Sequence, residues 1–347
     1  MKDSVAAEKK IVVRLGIDIA KSVFQLHGVN RFEEVVIRKQ VSRKQFMVVM
    51  SNLKPCLIGM EACGSAHHWA RELETLGHQC RLMPGQHVKP YRKNNKNDIR
   101  DAEAICEAVG RPTMRFVPVK NFAQHEIQSL HRIRQELVKM RTMQANQIRG
   151  LLAEFGIVIA KGVSYIRKEI PLILEDAGNQ LTPIMRDLVS DVYQFFCSMD
   201  DRLETITKKL EEIARSNEMC KKLTKIGGVG ALSATALYGA IGTGKQFNRG
   251  RDVSAWMGIV PKQNSTGGKT VLLGISKKGN RYLRTLFIHG ARSAVQFAHK
   301  KENRLSKWIS NLVQRKGKNR AAVALANKNV RVAWALMQSN EEYRMAA

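Results

Sequence analysis

The chain has 347 residues, 44% of them hydrophobic, and carries 58 Lys and Arg against 30 Asp and Glu for a net charge of +28. This length and apolar content exclude a wholly disordered chain and allow two or three domains; no stretch nears the roughly 20 apolar residues that span a bilayer, and Met1 to Lys10 lack the apolar core of a secretory signal. A charge excess of this size in a folded protein points to a polyanionic partner, nucleic acid above all.

The excess is uneven. Residues 216–347 hold 24 Lys and Arg against 5 acids, a net of +19, whereas residues 1–215 hold 34 against 25, a net of +9. The six cysteines, Cys56, Cys63, Cys80, Cys106, Cys197 and Cys220, form no C-x-x-C pair and no disulfide spacing. They read as free thiols of a reducing cytosol.

Residues 10–112 read as an α/β domain. Ile11 to Ile17 is a β-rich run ending at Asp18, and Ser22 to Val29 and Glu33 to Arg38 follow as strands. Ser42 is placed to cap a helix through Leu53. Cys56 to Met60 is a short apolar strand, buried by its composition, that ends at Glu61. A helix from Ala66 to Leu76 stops at Gly77, a fitting C′ glycine. Gln79 to Met83 is a further strand, and beyond a basic loop Asp98 to Val109 is helical, closed by Gly110-Arg111-Pro112. Three strands, a helix, a strand, a helix, a strand and a final helix are the order of a ribonuclease-H-like fold.

Residues 122–215 read as helical. Leu130, Ile133, Leu137 and Met140 keep helical spacing, as do Leu181, Ile184, Leu188, Val192, Phe195, Met199, Leu203, Ile206, Leu210 and Ile213. Two long amphipathic helices follow, joined by a segment broken at Gly162, Pro171, Gly178 and Pro183. They are expected to form an antiparallel coiled-coil hairpin, a surface that could also serve a dimer.

Residues 216–347 read as mostly helical and basic. Lys225-Ile226-Gly227-Gly228-Val229-Gly230 precedes an Ala-rich helix, Ala231 to Ile241. An apolar residue, G-x-x-G and a helix form the pattern of a helix-hairpin-helix, whose glycines let backbone N–H groups approach a phosphate. The alternative is a plain Gly-rich turn between helices. Lys262-Gln263-Asn264-Ser265-Thr266-Gly267-Gly268-Lys269 reads as a polar, flexible loop that presents a hydroxyl. A serine attacking a phosphodiester needs cations around it, and Lys269, Lys277, Lys278, Arg281 and Arg284 are available. From chemistry alone an ordinary loop explains these residues as well.

Four acids carry the main candidate site. Asp18 and Glu61 each close a buried strand, and neighbouring strands of an open sheet bring such residues together at one edge. Asp98 and Asp101 share one side of a helix. Carboxylates gathered this closely need a cation, and Mg²⁺ suits an all-oxygen set. Singly, Asp98 also fits an N-cap and Asp101 a first-turn acid. His67-His68 with Cys63 lack the further ligands of a zinc site.

Gly16-Ile17-Asp18-Ile19-Ala20-Lys21, Met60-Glu61-Ala62-Cys63-Gly64, Lys96-Asn97-Asp98-Ile99-Arg100-Asp101-Ala102-Glu103-Ala104 and Pro261 through Lys278 together resemble the DEDD transposases of bacterial insertion sequences. The similarity is to the one-ten family, its eleven-eleven subgroup, relatives of the pilin-gene invertases, and it covers nearly the whole chain. The resemblance implies a RuvC-like domain with Asp18, Glu61, Asp98 and Asp101 as a tetrad for Mg²⁺ or Mn²⁺, a coiled coil, and a transposase domain with a nucleophilic serine. It implies donor and target double-stranded DNA, a structured guide RNA from the element, a dimer or tetramer, no membrane, and a cytoplasmic, nucleoid-associated setting. Many members have a single Ser directly before the Gly. Here Thr266 stands there and Ser265 one earlier, so the resemblance favours Ser265 and leaves Thr266 open. The residues expected to meet nucleic acid are Lys225, Gly227, Gly228, Gly230, Lys262, Thr266, Lys269, Lys277, Lys278, Arg281 and Arg284. Rival readings are a junction endonuclease that uses water and a non-catalytic nucleic-acid-binding protein.

Overall fold

The structure, a computed structural model, describes residues 8–92, 97–339 and 341–343. Lys96, which opens the third motif, and the end of the basic loop before it lie outside the described residues. The chain forms two compact units, residues 1–121 and 122–347.

The first unit is built on a five-stranded sheet. Its strands are β1 (Arg14–Ile19), β2 (Val23–Val29), β3 (Val35–Ser42), β4 (Leu57–Glu61) and β5 (Gln79–Met83), in the spatial order β3-β2-β1-β4-β5. β1, β2 and β3 are antiparallel neighbours, and β4 and β5 run parallel to β1. Leu15, Ile17, Phe24, Leu26, Ile58, Met60 and Leu82 are fully buried. They pack against α1 (Phe46–Ser51) and α2 (Ala66–Thr75) through a cluster in which Phe24 stacks on Phe46 and both meet the Trp69 ring edge-on. Gly77 has φ +84° just past α2, the left-handed geometry its C′ position requires. Past β5 come α3 (Gly85–Val88) and a short 3₁₀ turn, Lys89–Tyr91, and then α4 (Asp98–Val109), which covers the opposite sheet face.

Ser42 does not cap a helix. It closes β3, which runs four residues beyond the expected Arg38, and its hydroxyl bonds the side chain of Gln45. Pairing with β2 continues to Val23↔Ser42, and this ladder outcompetes the local capping signal.

The second unit holds α5 (Phe122–Ala153), α6 (Val163–Glu175), α7 (Pro183–Ser216), α8 (Glu218–Thr224), α9 (Ala231–Ile241), α10 (Gly250–Met257), a ribbon of β6 (Pro261–Thr266) and β7 (Lys269–Ile275), α11 (Arg281–Gln296), α12 (Arg304–Lys316) and α13 (Lys318–Gln338). α5 and α7 lie antiparallel, tied by Arg134 to Thr207 and Arg141 to Asp200 and by Leu137 against Met199 and Leu203. Thr182 caps α7 by accepting from Met185 N–H, with Pro183 in the first turn. Pro171 was expected to break the chain but lies inside α6.

The expected apolar stripes hold only in part. Leu137, Met199, Leu203 and Leu210 are buried, but Ile133, Met140, Ile184, Leu188 and Phe195 are exposed. The buried line of α7 runs through Val189 and Phe196 instead, one position on, because it faces α5 and α6 together. On α5 the buried line includes Gln124, His131 and Gln144, polar residues that an apolar period does not reveal.

His131 sits at the centre of a buried network. Thr235 O–H donates to Ala231 C=O at 2.7 Å, so it accepts from His131 Nε2 at 2.9 Å, and Tyr282 O–H donates to Nδ1 at 2.9 Å. The network joins α5, α9 and α11. Removal from water, aided by the Arg134 charge, holds His131 down at about 4, against an ordinary value of 6.5. The six cysteines form no disulfide, and among the described residues no helix is long and apolar enough to cross a membrane.

Between pH 6.5 and about 4 the unfolded chain takes up a proton that folded His131 refuses. Stability should therefore fall with pH across this window, by up to roughly 1.4 kcal/mol per unit from this group. In thermal melts, His131→Gln should start lower at pH 7.5 and lose less than wild type between pH 7 and pH 5. A variant that loses as much as wild type would refute the assignment.

Candidate active site

Two strands carry the same short pattern, a glycine two residues before an acid: Gly16-Ile17-Asp18 and Gly59-Met60-Glu61. Gly16 pairs with Gly59 and Ile17 with Met60 in the parallel ladder, so the two acids are level at its carboxyl end. Side chains alternate along a strand, so each acid shares the face of its glycine. That face lies under α4. A methyl group on Gly16 would sit 2.2 Å from Ala102 C=O and 2.4 Å from Cys106 N, and one on Gly59 would sit 2.7 Å from Val109. Backbone without side chains lets α4 lie directly on β1 and β4.

The helix delivers its own acids to the same place. Asn97 is the N-cap, its side chain accepting from Ile99 N–H at 3.0 Å, so Asp98 is not required for capping. One carboxylate oxygen from each of Asp18, Asp98 and Asp101 lies within 4.8 Å of the others. The Glu61 carboxylate is not in that set and lies instead against Gly85 of α3. The four acids therefore converge as three together with a fourth on the neighbouring strand. Cys63 lies near both strand acids. Removal from water raises its thiol pKa, and the charges of Glu61 and Asp18 push the same way.

Arg92, which the sequence did not single out, completes the group. Its Nε is 2.5 Å from Asp101 Oδ1, an ion pair in which, among the described residues, that buried oxygen accepts no well-directed hydrogen bond. Three carboxylates offering only oxygen atoms, with the Arg92 guanidinium beside one of them, fit a hard divalent cation. His67 has another role: its Nδ1 accepts from Lys120 N–H at 3.2 Å.

The segment 261–275 is not a flexible loop. It is the antiparallel ribbon β6–β7, with Ser265↔Thr270 and Thr266↔Lys269 paired and Gly267-Gly268 as its left-handed turn. Ser265 and Thr266 therefore face opposite sides. Ser265 shares a face with Gln263, whose Nε2 donates to its Oγ at 2.7 Å. The base of the ribbon is clasped by backbone. A methyl group on Gly258 would lie 1.9 Å from Lys278 C=O, and one on Gly279 1.8 Å from Trp256 C=O, both at positive φ. Lys277 N–H donates to Gly258 C=O at 3.0 Å, and Arg284 Nη1 donates to Met257 C=O at 3.0 Å. Arg284 thus serves the clasp. Lys262, Lys269, Lys277, Lys278 and Arg281 are exposed.

A turn over residues 225–230 joins α8 to α9. Gly228, at φ +88°, packs against Gly290 C=O, whereas Gly227 and Gly230 are exposed. Asn329 Nδ2 donates to Gly227 C=O at 2.8 Å, and Lys225 pairs with Glu342 at 2.8 Å.

A family model described as Transposase IS116/IS110/IS902 family matches residues 220–306. A second, for DEDD transposases of the IS110 type and described as Transposase, matches residues 15–157. The chain is similar to a probable family 20 transposase of Pseudomonas aeruginosa, 44% identical over 332 residues that cover 95% of this chain and 98% of the relative. It is 45% identical to the transposase for insertion sequence element IS1111A of Coxiella burnetii, over 96% of this chain and 92% of the relative. It is 38% identical to the transposase for insertion sequence element IS1328 of Yersinia enterocolitica, over 93% and 96%.

Gly16→Ala should force α4 off β1, because the added methyl meets backbone on the helix rather than a side chain that can turn away. The expected loss, measured by chemical denaturation, is at least about 1–3 kcal/mol. Gly64→Ala, where a methyl meets nothing within 4 Å, is the control. Equal stability of the two variants would refute the close contact.

Proposed function

The chain belongs to the IS116/IS110/IS902 family of DEDD transposases, and from that premise we propose that it excises and inserts an insertion sequence by metal-assisted phosphodiester transfer through a serine. It is a DNA transposase, and its substrates are DNA. The observation that carries the finer reading is the convergence of Asp18, Asp98 and Asp101 within 4.8 Å under α4.

In this reading the first unit is a RuvC-like nuclease domain. Asp18, Asp98 and Asp101, with Glu61 on the adjacent strand, hold Mg²⁺ or Mn²⁺. Bound there, the ion supplies positive charge against the scissile phosphate. Arg92 pairs by charge with the inner oxygen of Asp101. α5 and α7 form the coiled-coil hairpin.

Ser265 is the nucleophile. Its Oγ forms a bond to phosphorus, the bond from phosphorus to the 3′ oxygen breaks, and the serine proton passes to that oxygen. The strand is left joined to the protein through a phosphodiester, and reversal of the step on a new 3′ hydroxyl rejoins DNA without a high-energy cofactor. Gln263 N–H on Oγ favours the charge that develops there. Lys262, Lys269, Lys277, Lys278 and Arg281 line the approach of the phosphate. Lys225, Gly227 and Gly230, with the first turn of α9, act as a helix-hairpin-helix toward backbone phosphates.

The net charge of +28 suits a second polyanion beside the DNA, and a guide RNA from the element fills that role, with the protein reading mainly backbone and shape. The working form is a dimer or tetramer in the bacterial cytoplasm.

The test expresses the chain with its native flanking DNA and amplifies across the joined ends of excised circles. Wild type should give circles. Asp18→Ala and Ser265→Ala, at equal protein level, should lower them by about a thousandfold or more. Circles surviving Asp18→Ala would refute the carboxylate site. Circles surviving Ser265→Ala would move the chemistry to Thr266 or to water.

A further inference from the structure

The last third of the chain is short of acids, and one of its few lies where a phosphate is expected. Residues 216–347 hold 5 acids among 24 Lys and Arg. Glu218 and Asp252 pair with cations three residues away, Lys221 and Arg249. Glu342 does not pair locally. Its Oε1 lies 2.8 Å from Lys225 Nζ, a residue 117 positions away in the chain.

Lys225 caps the C-terminus of α8, and Lys221 and Lys222 form the last turn of that helix. The same turn leads through exposed Gly227 and Gly230 into the N-terminus of α9, where unpaired backbone N–H groups favour an anion. The Glu342 carboxyl is held below its ordinary range by the Lys225 hydrogen bond first, then by the charges of Lys225, Lys222 and Lys221. It therefore feels all three lysines. Its neighbour Tyr343 packs against the core of the same unit, which seats the segment on the body.

We propose that Glu342 is a built-in phosphate mimic: its carboxylate occupies the anion position at Lys225, beside the turn into α9, and a nucleic-acid phosphate must displace it to bind the turn. The proposal rests on the reading of α8, the turn and α9 as a phosphate-binding element. It adds that this element is held partly closed by its own chain. A carboxylate and a phosphodiester offer the same chemistry to an ammonium group, a single negative charge spread over oxygen acceptors, so the two compete for one place. The pair is exposed, with 40% and 69% of the two side chains accessible, so the contact is weak enough to yield to a phosphate. Such an arrangement penalises stray single contacts and leaves binding to a surface that engages many phosphates at once.

The experiment measures binding of full-length wild type, Glu342→Gln, Glu341→Gln, Lys225→Gln and the Lys225→Gln/Glu342→Gln double variant to a labelled 30-base-pair duplex of arbitrary sequence, by fluorescence anisotropy over a salt series. Glu342→Gln should bind about two- to fivefold more tightly at low salt, the scale of one exposed ion pair. Its affinity should fall more steeply with salt, by up to about one unit of slope. Glu341→Gln, equal in charge, should change binding less, and Glu342→Gln should have no effect when Lys225 is already Gln.

Equal gains from Glu341→Gln and Glu342→Gln would mean a general charge effect and would overturn the proposal. So would unchanged binding in Glu342→Gln while Lys225→Gln weakens it, an outcome that leaves the turn as a phosphate-binding element. Unchanged binding in Lys225→Gln would remove that reading, and the proposal with it.

Discussion

The approach of α4 to β1 and β4 at two bare glycines is the contact on which the first unit depends. Were Gly16 and Gly59 any larger residue, the helix would stand off the sheet, since a side chain would strike helix backbone at Gly16 and the Val109 side chain at Gly59. The same contact is chemical as well as structural. Asp98 and Asp101 extend from the first turn of the helix, and Asp18 lies two residues beyond Gly16 on the strand beneath. A displacement of an ångström in the helix would open the carboxylate set by a comparable amount, and divalent cations, Mg²⁺ above all, tolerate little error in ligand distance. Packing density in the sheet and geometry at the acids are thus one constraint.

The second unit is organised differently. Its helices are drawn together around a buried polar node, His131 with Thr235 and Tyr282, instead of by apolar residues alone. Each member satisfies another, so burial costs little while the network is complete. The node also gives direction. Only one arrangement of the three helices lets the imidazole meet both hydroxyls, whereas apolar surfaces can slide. Tyr282 is the second residue of α11, so the network fixes the start of the helix that leads out of the clasped segment.

Much of the first unit was legible because its signals are local. Short apolar runs marked β4 and β5, a C′ glycine closed α2, and the acids stood at strand and helix ends. What the sequence concealed depended on partners distant in the chain. Ser42 looked like a cap because nothing local reveals that Val23 extends the ladder to it. Arg92 carries no motif, and its role comes from folding against Asp101. The helical stripes misled at Ile184, Leu188 and Phe195 because periodicity identifies an amphipathic helix but not which of two apolar faces its neighbours cover. The glycine two residues before each strand acid was not singled out from the sequence, because only the parallel register of Gly16 with Gly59 gives it meaning.

The ribbon β6–β7 was the least legible element, for a physical reason. Pro261 to Thr266 is fully exposed, and so is nearly all of Lys269 to Ile275, so no burial imposes an apolar alternation that a reader could detect. A two-stranded ribbon of this kind is marginally stable alone. It holds its shape here because both ends are fixed at one point, where Gly258 and Gly279 let the two chain segments touch. Pairing across the ribbon then turns an ambiguity of one residue into a choice between two faces. Ser265 and Thr266 cannot both be presented to the same phosphate, because successive residues of a strand point apart. In the proposed chemistry, choosing between the two hydroxyls is therefore choosing a ribbon face. The serine face is the one on which a neighbouring side chain, Gln263, already reaches the hydroxyl oxygen. In both units a bare glycine lets a second segment lie directly on it: α4 on β1 and β4, and Trp256 and Lys278 backbone at the base of the ribbon.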